Sequence, residues 1–164
     1  MVKDILLFCL IGLLFLGLQS TWLAVGADNP LRPDLLFILL IFLGTQNRLR
    51  RGLILSIVLG AAVDLFAWGL PGTAVILYPL IFSIYFFIGT RTHISSPIFA
   101  VASVLVFQIF YGLLIYFSLY VFRDLEFTQT QLILLIEQSV ITMLVSIPLF
   151  LIFKILFRKK PALM

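Results

Sequence analysis

Leu53-Ile-Leu-Ser56-Ile-Val-Leu-Gly60-Ala-Ala-Val-Asp64-Leu-Phe-Ala67 is an apolar run that ends in Trp68-Gly-Leu-Pro-Gly72 and is followed at once by another, Thr73 to Gly89. Glycine, proline and glycine in so short a link break helices, so the stretch predicts two membrane helices joined by a tight turn. Working outward, similar runs occupy about 5–25, 33–47, 97–122 and 131–157, which makes six in all, with spans three and four at 53–67 and 73–89. About 20 apolar residues cross a bilayer core of roughly 30 Å. Five of the runs are read as full spans, and the second, opened by Pro33 at a first helical turn, is short.

Composition agrees. Of 164 residues 63% are hydrophobic and 11% are charged, whereas a soluble domain carries about a quarter charged residues. The fold class expected is an all-α integral membrane protein, a compact bundle of six transmembrane helices with five as the alternative, filling residues 1–164 as a single membrane domain. The connections leave no space for a soluble domain. Lys3 before the first run imitates a secretory leader, but the run is too long for one and five others follow it.

Lysine and arginine set the orientation. Lys3, Arg48, Arg50, Arg51, Arg91, Lys154, Arg158, Lys159 and Lys160 fall on one side, nine of the eleven basic residues, and Arg32 and Arg123 on the other. The positive-inside bias places both termini in the cytoplasm. A five-span reading exchanges Lys3 for Arg32 and leaves the ratio unchanged, so charge does not separate the two. The basic residues mark span edges and do not point to nucleic acid, while the run from Lys154 to Lys160 suits anionic membrane lipid.

The polar groups inside the runs are the candidate functional residues. Gly52, Ser56, Gly60 and Asp64 recur every fourth residue and share one helix face, with Trp68 and Gly72 continuing the interval. Small residues on a face let another helix approach closely. A carboxylate inside a span is costly and is usually retained to contact something. Asp64 is therefore either a structural group bonded to a neighbouring helix or a contact with a partner or ligand. Arg32-Pro33-Asp34 heads the second span, and Arg32 is a candidate to neutralise Asp64; the alternative is that Arg32 and Asp34 are interfacial. Glu137, Gln138, Thr142 and Ser146 on the sixth span, and Gln108, Gly112, Tyr116 and Tyr120 on the fifth, form polar or small-residue faces that suit internal packing. Pro148 is expected to bend the sixth helix.

Catalysis and metal binding find no support. There is no phosphate-binding loop, the single cysteine, Cys9, reads as a small core residue, and the single histidine, His93, falls in a loop. No cofactor is implied. No internal repeat of the kind found in secondary transporters is visible.

Residues Leu31 to about Arg91 resemble the signature region of the MreD family of bacterial rod-shape proteins. The matching elements are Arg32-Pro33-Asp34 at the head of an apolar helix, the basic Arg48-Leu-Arg50-Arg51-Gly52 loop, Gly60-x-x-x-Asp64-Leu-Phe66, and the Gly69-x-Pro71-Gly72 turn. The resemblance implies a non-enzymatic scaffold in the bacterial inner membrane that maintains rod shape within the cell-wall elongation complex. Its partners would be MreC, a bitopic protein, together with MreB, RodA and PBP2. The contact surface expected is the 52/56/60/64 stripe, with Arg32, Asp34 and Gly72 beside it. MreD-like proteins also resemble the substrate-binding S components of energy-coupling-factor vitamin transporters. On that alternative Asp64, Glu137, Tyr116 and Trp68 would line a small-molecule pocket.

Overall fold

The computed structural model describes residues 2–21, 32–45, 49–66, 72–92, 97–123 and 128–156. These residues form six α-helices: α1 (Val2–Thr21), α2 (Leu35–Thr45), α3 (Leu49–Phe66), α4 (Thr73–Thr92), α5 (Pro97–Arg123) and α6 (Gln129–Leu156). Three of them, α4, α5 and α6, are long and apolar enough to cross a membrane. The all-helical expectation holds, and the helix boundaries fall within a few residues of those read from hydropathy. The turn residues 67–71 and the loop that carries His93 lie outside the described residues.

α2 is the short element that the sequence marks out. It has 11 residues, or about 16 Å at 1.5 Å per residue, roughly half of a hydrocarbon core. Among the described residues it is also the only helix that packs against all five others. The remaining five form an open ring around it in the order α1, α3, α4, α5, α6. The ring gap between α6 and α1 is bridged by side chains, with the Phe15 and Phe153 rings 6.0 Å apart. Every residue from Leu35 to Gly44 is buried, and Phe37 to Ile41 have no exposed surface. A helix apolar on all sides has no preferred face and belongs at the centre of a protein. Surrounded by protein, it has no lipid thickness to match.

Aromatic contacts fix its position. The Phe37 ring lies 6.3 Å from Tyr78 on α4 and 5.5 Å from Tyr111 on α5. At the other end Phe42 meets Phe150 and Phe153 of α6, at 6.1 and 4.9 Å. The head of α2 is thus level with the middle of α6 and its tail with the Lys154 end.

Candidate functional site

The small-residue face of α3 meets α4. A Cβ on Gly52 would overlap the Phe82 ring, and a Cβ on Gly60 would overlap the backbone of Ala74 and lie 2.9 Å from the Cα of Val75. Two helical turns along α3 therefore answer two turns along α4 in the opposite direction. Ser56 between them has no exposed surface and donates its hydroxyl to the Leu53 carbonyl at 2.8 Å.

Asp64 completes this hairpin. One turn beyond Gly60, its Oδ1 accepts from the Ala74 N–H at 3.1 Å and its Oδ2 from the Val75 N–H at 3.0 Å. The first N–H groups of a helix have no partner within it and carry a positive partial charge, so a carboxylate there is well placed. Gly60 permits the close approach and Asp64 uses it. α4 thus holds both carboxylate oxygens of Asp64, and its pairing with Arg32 stays an expectation. Gly72 opens that helix with φ +92, a left-handed conformation that glycine adopts without steric cost.

A second polar centre surrounds the head of α2. Asp34 is its N-cap: the carboxylate Oδ1 accepts from the Phe37 N–H at 2.9 Å, and the Asp34 carbonyl accepts from the Ile38 N–H at 3.2 Å. Gln19 of α1 donates through Nε2 to the Pro33 carbonyl at 3.2 Å and to Asp34 Oδ1 at 3.4 Å. The Asp34 N–H donates to Thr142 Oγ1 of α6 at 3.1 Å, and that hydroxyl donates onward to the Gln138 carbonyl at 2.8 Å. Gln108 of α5 is buried beside the carboxylate. Asp34 is thereby tied to α1 and α6 and is more than interfacial. Two buried atoms beside it, Gln108 Oε1 and the Tyr78 hydroxyl, have no hydrogen-bond partner among the described residues.

The structure thus divides the candidate residues. Gly52, Ser56, Gly60 and Asp64 form the α3–α4 seam, and Asp34, Gln108, Gln138 and Thr142 gather at the head of α2. Arg32 is half-buried just before it. Ser146 is buried on α6. Gly112 of α5 packs on Leu135 of α6. Glu137 stays apart, exposed on α6. Trp68 lies outside the described residues, so Asp64, Glu137 and Tyr116 are the three members of the alternative pocket that can be placed. Asp64 faces α4, Glu137 is exposed, and Tyr116 is half-buried on α5. Gln19, Tyr78 and Tyr111 were not anticipated; Gln19 is the only side-chain amide in the first apolar run, which is the signal that marks it.

Between α1 and α3 lies an apolar pocket of about 150 Å³, lined by Phe8, Cys9, Leu16, Leu55, Leu59 and Ala62 among others. Cys9 is half-buried at this crevice and is not a core residue in the strict sense. Among the described residues no group of three or more histidine, cysteine, aspartate or glutamate side chains could hold a metal ion.

Comparison with known proteins bears on what such a bundle is for. No curated protein and no solved structure matches the chain. The family model described as rod shape-determining protein MreD matches residues 2–160, nearly the whole length and well beyond the signature region. With its apolar helices, its short central α2 and its capped α3–α4 hairpin, the chain is a membrane protein that belongs to the MreD family of rod shape-determining proteins.

Proposed function

We propose that this protein is a non-catalytic scaffold of the cell-wall elongation complex in the bacterial inner membrane. On this reading it binds an MreC-like bitopic protein, and wall-synthesis proteins associated with it, through transmembrane helices. The observation that carries the reading is how the signature residues are used. Gly60 and Asp64 lock α3 to α4, and Asp34 locks α2 to its neighbours, so they build a rigid frame. The apolar rim of that frame, including Ile54 and Val58 on α3 and Ile76 and Leu80 on α4, is exposed. Helices associate in lipid through close packing against such a preformed surface. The small-residue stripe then serves partner binding by fixing the shape of the hairpin that the partner meets.

The topology follows. The chain crosses the membrane six times with both termini in the cytoplasm, and the second crossing runs through the centre of the bundle. Protein surrounds α2 there, and hydrogen bonds from α1 and α6 reach the polar groups at its head, as membrane depth requires.

The test is purification of the tagged chain from its native membrane in mild detergent, with companions identified by mass spectrometry and Asp64→Ala in parallel. The expected result is recovery of an MreC-like protein or a wall synthase, reduced in the variant because the hairpin loosens. Recovery instead of an ATPase pair with its transmembrane coupling subunit replaces the scaffold by the vitamin-transporter reading.

A further inference from the structure

Glu137 is the one charged side chain among the described residues that is exposed more than a turn from a helix end. Its depth can be read from its neighbours. Gly112 packs on Leu135, and the Tyr111 ring lies 5.5 Å from Tyr78. Glu137 is therefore level with the Tyr78 turn of α4, more than a turn inside the end of that helix at Thr73. On its own helix it lies two turns in from Gln129.

Its surroundings are apolar. Ile133, Val140, Leu144, Ile147 and Leu151 are all exposed and alternate at intervals of three and four with Glu137 among them. Any helix on the rim of a bundle shows such a stripe to lipid. A carboxylate within it is different, because hydrocarbon offers nothing to hydrogen-bond and exposed acidic groups at such depth are expensive. No donor within the described part of the chain reaches this one. Asp64, by contrast, accepts through both carboxylate oxygens, and Asp34 caps α2 through Oδ1.

We infer that the Glu137 face of α6 is the docking seam for a transmembrane helix of another polypeptide, one that carries a hydrogen-bond donor or a basic side chain at the matching depth. The intervals of three and four suit a helix lying along the stripe, and one polar position in an apolar seam sets the register of the pair. Charge complementarity selects the occupant: an acyl chain has no donor, and a second copy would oppose glutamate to glutamate. The inference rests on the scaffold reading and adds to it the face that is used and the chemistry that is recognised.

The experiment places a photo-reactive residue at Val140, one turn from Glu137, in the full chain in its native membrane. A second variant carries it at Ile76 on α4, which is 69% exposed. Adducts are mapped by peptide mass spectrometry. The inference expects the Val140 adduct to join an apolar segment of a different protein with Arg, Lys, Asn, Gln, Ser or Thr within one turn of the link. Glu137→Leu lowers the yield about three- to tenfold, the scale of one interhelical polar contact, while Glu137→Gln, which keeps an acceptor, changes it less. Because Glu137 is exposed, both variants fold, and unchanged melting of the purified proteins checks this. Adducts from Ile76 alone, adducts from Val140 with lipid or a second copy alone, or a Val140 adduct indifferent to Glu137→Leu each overturn the inference and leave the scaffold standing. Absence of a protein adduct from both positions removes the scaffold reading as well.

Discussion

Gly60 of α3 lies against the backbone of Ala74 on α4 with no space for a side-chain carbon between them. The neighbour is a carbonyl group in a helix, which cannot rotate aside as a side chain would. Gly60→Ala is therefore expected to lower stability by about 1–3 kcal/mol through overpacking. Gly17→Ala, where a Cβ meets nothing within 4 Å, is expected to be neutral or to gain up to about 1 kcal/mol from helix propensity. Denaturant unfolding of the purified proteins in detergent distinguishes the two, and equal effects would remove the packing argument.

Asp64 accepts two amides through two oxygens, so its substitutions should be graded. Asp64→Ala strands both N–H groups at the start of α4 and is expected to cost about 2 kcal/mol, the upper end for a lost cap. Asp64→Asn retains one acceptor and should cost about half as much. Thermal melting in detergent measures both. Equal losses would mean that charge, and not the count of acceptors, holds the hairpin.

Asp34 and Gln19 share a hydrogen bond at 3.4 Å, long enough to ask whether it contributes. A double-mutant cycle with Asp34→Ala and Gln19→Leu should give a coupling energy of about 0.5–1 kcal/mol, typical of a polar contact between membrane helices. Strict additivity would assign the whole effect of Asp34 to capping α2.

Tyr78 has no exposed surface, and its hydroxyl has no partner among the described residues. Removing a buried group that makes no bond relieves its desolvation cost. Tyr78→Phe should thus leave stability unchanged or raise it by up to about 1 kcal/mol. A loss of more than about 1 kcal/mol would reveal a buried water or other group bonded to the hydroxyl.

How much of this was legible depends on periodicity. The α3 stripe could be read because small residues return every fourth position in an otherwise bulky run, and the turn at 69–72 because glycine and proline interrupt it. The partner of the stripe could not be read, since spacing marks a face and does not say what lies opposite. α2 was the hardest. Leu35 to Leu43 is apolar at every position, so no face stands out, and only its brevity hinted at an unusual setting. Asp34 reads either as interfacial or as part of a partner-contact surface because it adjoins Arg32 and Pro33 at the end of a run. Its role shows only where Gln19 and Thr142, far apart in sequence, converge on it. Glu137 was grouped with Gln138 by adjacency, yet neighbours on a helix point about 100° apart, and here one faces out while the other is half-buried.

The central place of α2 also constrains the order in which the protein can be assembled. At about 16 Å the helix is too short to rest stably in a bilayer by itself, and the groups that satisfy its polar head include Thr142, which is synthesised well after it. During synthesis it must wait, shielded by the membrane-insertion machinery or by α1, until α5 and α6 arrive to close around it. Chains that end just before residue 97 should therefore be degraded even though the whole signature region is present in them, and the native state should form in one late, cooperative step.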